Sequence, residues 1–233
     1  MVRIIAVLAA LALVSCGGGN NSTPSTPSTP TTPTTPTPQN RNPTITSVTV
    51  NPAFGVAELQ AFSFAAVAND ADGDPLTYTW SAGGMTSSGA TPAPIVFTSA
   101  GSSGQATVTV TDSKGGSASS SVNFTVGSVS GTWIASIQNF SRLRLELQQA
   151  GGVISGRFVQ MDPLPNTPQG STGITDPAEP GKVDKDGRVE LRMKIGRFID
   201  FYMRGTMDGT GRTITGGLFG SGFTGTPFTM VKQ

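Results

Sequence analysis

Residues 142–149 read Arg-Leu-Arg-Leu-Glu-Leu-Gln-Gln, and the fold class follows from this octet. Leu143, Leu145 and Leu147 take every second position, while Arg142, Arg144, Glu146 and Gln148 fill the places between. A period of two sends alternate side chains to opposite faces of an extended chain, so the segment is a strand with one buried and one wet face. In a helix the same leucines would scatter around the circumference. Residues 188–195 repeat the pattern, with Val189, Leu191, Met193 and Ile195 alternating with Arg188, Glu190, Arg192 and Lys194.

Working outward from these two strands, similar runs occur at 131–138, 153–161, 182–184, 198–207, 213–219 and 227–232. Gly151-Gly152, Asp186-Gly187 and Asp208-Gly209-Thr210-Gly211 separate them and are strong hairpin signals. Eight antiparallel strands hide their edges best by closing on themselves, which predicts an up-and-down β-barrel over 128–233. Its lumen, rich in Leu, Phe, Met and Ile, is either filled by those side chains or open to a small apolar ligand. The Pro- and Gly-rich stretch 162–181 interrupts the meander as a lid or as a floppy loop. The opening Gly131-Thr132-Trp133 resembles the Gly-x-Trp of lipocalins and related calycin barrels. That resemblance implies a Trp plugging one end, and a carrier of a small apolar molecule as the alternative function.

Between 44 and 127 the runs are shorter: 45–50, 61–68, 76–81, 95–97, 105–111 and 118–126. Turn clusters divide them at the spacing of a β-sandwich. Thr107-Val108-Thr109-Val110-Thr111 alternates cleanly, and Leu76, Tyr78 and Trp80 at spacing two point to one core. The block Asn69-Asp70-Ala71-Asp72-Gly73-Asp74-Pro75-Leu76-Thr77-Tyr78-Thr79-Trp80 resembles the PKD and cadherin-like group of Ig-type sandwiches. So does Val108-Thr109-Val110-Thr111-Asp112-Ser113-Lys114-Gly115-Gly116. In that group such domains are spacers, adhesion modules or parts of surface proteins, and are not themselves catalytic. Ser81-Ala82-Gly83-Gly84 stands where many PKD domains carry Gly-Asp-Gly, which leaves a generic Ig-like sandwich as the alternative. Asp70, Asp72 and Asp74 alternate like the early ligands of a calcium loop, with Asp112 a fourth candidate, because hard cations need several carboxylate and carbonyl oxygens at one place. No Glu stands at the EF-hand position, and Asp-rich turns beside Gly73 and Pro75 are also ordinary turn chemistry. No cofactor is expected from these residues, with calcium as the alternative.

Before the sandwich, residues 16–43 are almost wholly Gly, Asn, Ser, Thr and Pro, with a Thr-Pro repeat running to Pro38. So little apolar surface cannot offset the entropy of ordering, and prolines extend the chain at about 3.1 Å per residue, so the segment is read as a disordered spacer. Residues 1–15 have the form of a signal peptide: Arg3, an apolar run from Ile4 to Val14, then Ser15. Leu13-Val14-Ser15-Cys16 resembles the bacterial lipobox, which implies lipidation (palmitate among the acyl groups) of Cys16, the only Cys of the chain. One acyl chain binds a membrane marginally and several bind stably. Gly17 after the Cys implies, by the lipoprotein sorting rule, a cell-envelope location at the outer membrane.

Charge divides the chain as the strands do. From 44 to 128 one base faces five acids, a net −4, and from 129 onward twelve bases face nine acids, a net +3. Neither half has a Lys/Arg run, so no nucleic-acid footprint is present. The chain has no His, which removes His-based triads, His-ligated zinc and the commonest general base. Glu146, Glu190 and Asp200 are the carboxylates left for an acid/base pair, and alternation sets Glu146 and Glu190 among Arg and Lys on wet faces. The expectation is an all-β, non-catalytic, membrane-anchored lipoprotein, facing either the surface or the periplasm, whose Ig-like sandwich and barrel bind or adhere. Its partner is a protein, a glycan or a small apolar ligand.

Overall fold

The computed structural model describes residues 38–99, 104–138, 141–160, 172–173, 180–193, 201–220 and 222–233. Every regular element among them is a strand. Gln39–Gln233 forms one compact unit.

The sandwich is built from two sheets. One holds β1 (Thr44–Asn51), β3 (Ala61–Asn69) and β6 (Ile95–Val96) in the order β1-β3-β6. The other holds β2 (Phe54–Val56), β4 (Leu76–Ala82), β5 (Met85–Ser88), β7 (Gly104–Asp112) and β8 (Ser117–Gly127) in the order β2-β8-β7-β4-β5. Apart from β2, which runs parallel to β8, all pairings are antiparallel. The alternation seen in sequence sends Ala106, Val108 and Val110 of β7 inward, each fully buried. They meet Phe62 and Phe64 of β3, Trp80 of β4 and Phe124 of β8. The rings pack edge to face and tilted, Phe97 and Phe124 at 5.0 Å and Phe62 and Phe97 at 5.5 Å between centroids. Trp80 gives its one polar group a partner, Nε1–H donating to Gly89 O at 2.9 Å.

The barrel consists of β9 (Gly131–Ile137), β10 (Ser141–Ala150), β11 (Val153–Gln160), β13 (Gly181–Val183), β14 (Arg188–Met193), β15 (Phe201–Met207), β16 (Thr213–Gly220) and β17 (Phe223–Lys232). Each pairs antiparallel with the next, and β17 returns to β9, so eight strands close without a free edge. A two-residue strand, β12 (Thr172–Gly173), adds to β11 beyond β13. The expected up-and-down topology and an Ig-like sandwich are both present. Most of 162–181, read as a lid or loop, lies outside the described residues, as does Asp200.

Leu143, Leu145 and Leu147 face the lumen together with Trp133, Ile154, Leu191, Met193, Met203, Ile214, Leu218 and Met230, in one buried cluster fed by all eight strands. Where large rings enter, the wall turns to glycine: a Cβ on Gly205 would stand 2.7 Å from Thr215 O and 3.0 Å from the Phe228 ring. The filled alternative is therefore the one that the described lumen residues adopt. The outer wall carries Arg142, Arg144, Glu146, Arg188, Glu190 and Arg204, whereas a lipid-facing barrel needs an apolar band there.

The sandwich closes one end of the barrel. Val56 of β2 is fully buried within the barrel's cluster, and Phe54 and Leu59 pack against it. Gln149 ties the junction: its Nε2 donates to Ala57 O at 3.0 Å, and its Oε1 accepts from Val129 N at 3.0 Å. Glu58, whose φ of 67° is costly for a residue with a Cβ, accepts from Gly151 N through its carboxylate. Trp133 Nε1–H donates to Val129 O at 2.8 Å. Lys232 lies 5.6 Å above the Trp133 ring with Nζ donating to Ser128 O at 2.9 Å. Burial, with Arg212 nearby, holds the Lys232 ammonium below the usual lysine range.

Candidate functional site

Two places concentrate polar chemistry. The first is the loop end of the sandwich, where the β3–β4 and β7–β8 turns meet the segment entering β1. Asp70 Oδ1 accepts from Asp72 N at 2.8 Å and Asp74 N at 3.2 Å, an Asx-type turn that fixes the β3–β4 loop. Asp112 does the same for the β7–β8 turn, its Oδ1 accepting from Lys114 N and Gly116 N, each at 2.8 Å. Its Oδ2 accepts from Asn40 Nδ2 at 3.0 Å. That amide and these N–H groups hold the Asp112 carboxyl below the usual carboxylate range against the effect of its burial.

These turns bring Asp70, Asp74 and Asp112 together, one carboxylate oxygen of each lying within 4.8 Å of the others. Three oxygens there, Asn40 Oδ1, Asp70 Oδ2 and Asp74 Oδ2, are buried and accept no hydrogen bond. Buried oxygens without a donor are costly, and three at one place match the all-oxygen donor set of a hard cation. Lys114 Nζ, 3.0 Å from Asp74 Oδ1, is the ammonium already present, and Asp74 raises its pKa. Three carboxylates and one ammonium leave a formal charge of −2, which suits a divalent ion. The residues therefore fit calcium, with Asn40, Asp70, Asp74 and Asp112 as the groups that would hold it.

Of the four aspartates that sequence spacing singled out, three converge and one does not. Asp72 turns away to accept from Arg41 N at 2.7 Å and lies 3.9 Å from Arg41 Nε. Asn40 falls within 16–43, whose spacer-like composition hides it. The signal that could have marked it is the change from Thr-Pro repeats to Asn40-Arg41-Asn42-Pro43.

The second place is on the outer wall of the barrel. Cross-strand register lines up Lys182, Glu190 and Arg204 in one row and Arg188, Thr206 and Thr215 in the next. Gly217 follows Arg204 in the first row, so long charged chains there give way to short ones. The result is an open groove of about 710 Å³ whose lining includes Lys182, Asp184, Arg188, Glu190, Arg204, Thr206 and Thr215. Arg204 Nε donates to Glu190 Oε2 at 2.6 Å, and its guanidinium carbon lies 5.3 Å from the Tyr202 centroid and 5.7 Å from that of Phe219. An ion pair and two rings thus fix this fork in place.

Glu146 and Glu190 are held as wet-face alternation requires. Arg157 Nε donates to Glu146 Oε2 at 2.5 Å and Arg144 to its other oxygen. Hydrogen bonds from Arg157 and then Arg144 hold the Glu146 carboxyl below its usual range. Cys16 lies outside the described residues.

Set against known proteins, the chain matches no curated protein. One solved structure, described as "Structural basis for the promiscuous specificity of the carbohydrate-binding modules from the beta-sandwich super family", is 16% identical over 77% of this chain. The match has a TM-score of 0.36 and spans 61% of that chain. Residues 40–125, the sandwich with Asn40 included, match the family model of the bacterial Ig domain.

Proposed function

We propose that this protein is a non-catalytic, lipid-anchored component of the cell envelope that binds its partner on the outer wall of the barrel. The observation that supports this reading is the inversion of the barrel's chemistry. Its lumen positions are buried against one another, and the 710 Å³ groove lies outside, lined by exposed charged and hydroxyl side chains. A carrier of an apolar molecule would need the reverse. In this reading Cys16 holds the chain to the outer membrane, residues 17–38 space the folded unit from it, and calcium stiffens the sandwich where that spacer enters. Among the described candidates for an acid/base pair, Glu146 and Glu190 are each engaged by arginine, which supports the non-catalytic reading.

The test is a two-part titration of the full chain. A panel of fluorescent apolar probes is expected to show no saturable binding. Fluorescently labelled protein is expected to bind isolated envelope fragments, and to lose that binding when Lys182→Glu and Arg204→Glu are combined. Saturable, displaceable probe binding would install the carrier reading, and undiminished fragment binding by the double variant would remove the outer wall from consideration.

A further inference from the structure

We infer that the outer-wall groove takes an acidic saccharide, a segment of polymer that carries one carboxylate per sugar among neutral hydroxyls. The inference rests on the outer-wall binding reading and adds the ligand class to it. Its first support is Arg204. A free arginine loses rotamer entropy on binding, but here Glu190 holds Nε while the guanidinium lies near the Tyr202 and Phe219 rings. The side chain is nevertheless 54% exposed. A planar fork immobilised before binding and still open to solvent is suited to a planar carboxylate, which it can meet bidentately at its Nη edge.

The second support is the sign pattern. Lys182, Arg188 and Arg204 outnumber Asp184 and Glu190 along the groove, so its balance is positive but not uniform. Densely charged phosphate polymers would be repelled at Asp184 and Glu190 wherever they crossed them. A sugar chain instead offers hydroxyl donors to those carboxylates between its own widely spaced charges. Thr206 and Thr215, short and side by side in register, supply further donors and acceptors on the floor. A carboxylate would add a partner for Lys182 and a second one for Arg204, whose Nε Glu190 already holds, whereas a neutral saccharide would not, which makes Lys182 and the open edge of Arg204 the source of discrimination.

The third support is Phe219. The residue is 36% exposed and lies beside Arg204 and Gly225. A solvent-facing ring next to hydroxyl-binding groups offers the apolar face of a sugar a place to stack.

The experiment uses the full chain with tri-galacturonate as the probe and a neutral galactose trimer as its comparison, by isothermal titration. The expected result is saturable binding of the acidic trimer, at least tenfold tighter than the neutral one. Arg204→Ala and, separately, Lys182→Ala are each expected to weaken it about tenfold, with the near-ultraviolet circular dichroism unchanged. Phe219→Leu should weaken it a few-fold, and millimolar inorganic phosphate should not displace it. Equal binding of the neutral trimer, displacement by phosphate, or acidic-trimer binding insensitive to both cation substitutions would each overturn the inference. So would the absence of saturable binding. If envelope fragments still bind through the outer wall in that last case, the parent reading stands and only the ligand class falls.

Discussion

At the loop end of the sandwich Asp70, Asp74 and Asp112 crowd within 4.8 Å, sharing one ammonium, while on the barrel wall Glu146 sits between Arg144 and Arg157 and Glu190 beside Arg204. Both halves are all-β and both have apolar cores, yet one concentrates negative charge and the other neutralises it locally. The difference lies in where the carboxylates sit. Glu146 and Glu190 stand within strands, where cross-strand register brings an arginine opposite each. Asp70, Asp74 and Asp112 stand in or beside turns, where backbone N–H groups bind one oxygen of Asp70 and of Asp112, Lys114 meets one of Asp74, and the second oxygens of Asp70 and Asp74 accept nothing. On the strands the chain supplies the counter-charge opposite each glutamate, and at the sandwich loops it leaves the charge concentrated.

The comparison presumes two halves, and the largest expected effect tests whether they unfold as two. Trp133→Ala removes a fully buried ring from the barrel and should cost about 3–5 kcal/mol. The chain has two tryptophans, so in this variant Trp80 alone reports, from inside the sandwich. Because Val56 and Gln149 join the halves, its urea midpoint is expected to fall with the barrel's stability. A Trp80 transition unmoved from the parent's would mean that the sandwich stands alone and that the contrast is between independent bodies.

Next in size is the response to calcium. A ligand that binds the folded chain only, at a hundred times its Kd, stabilises by about 2.7 kcal/mol. Thermal unfolding of the full chain in millimolar calcium should therefore shift upward against the same chain in chelator, and magnesium should act more weakly because it sheds water reluctantly. Asp70→Asn keeps the oxygen that accepts from Asp72 N and Asp74 N but replaces the unpartnered one with an amide donor. The variant should fold, be at least as stable without calcium, since it relieves like-charge crowding, and respond to calcium far less. An unaltered calcium shift in this variant would remove Asp70 from the ligand set. Without calcium, Asp112 contributes on the acid side: its folded pKa is depressed, so its contribution is present above the unfolded value near 4 and is lost as pH falls through the folded one.

How far these contrasts were legible in sequence depends on the range of the interactions. Leu143, Leu145 and Leu147 declare their strand because alternation is local, and the same holds for Val108 and Val110. Asp70 and Asp74 could be paired by spacing alone. Asn40 could not, since its partner Asp112 is distant in sequence and its neighbours are those of a spacer. β2 was also hidden, because three residues carry no periodicity and pair with β8 only once the sandwich exists. The groove was hidden for a third reason. Lys182, Glu190 and Arg204 become a row only through the register of three strands, which sequence states as hairpins but not as alignments.

The smallest effect concerns the wall pairs, and it is informative because it should be small. Glu146 is 29% exposed and its arginines are more so, which leaves their ion pairs to be screened by water and salt. Glu146→Gln is expected to lower Tm by about 2 °C or less at neutral pH and low ionic strength. The folded pKa of Glu146 is depressed by Arg157 and Arg144, so what it contributes is present above its unfolded pKa, near 4.3, and disappears as pH falls through the folded value. The gap between parent and variant should close in acid, and also in molar salt, whereas the calcium response of the sandwich should survive the salt because its oxygens are buried. A large, salt-resistant loss at Glu146 would mean that the barrel wall also holds a charge it cannot spare. The groove side, with Arg204 and Glu190, would then have to be reconsidered as part of one extended network.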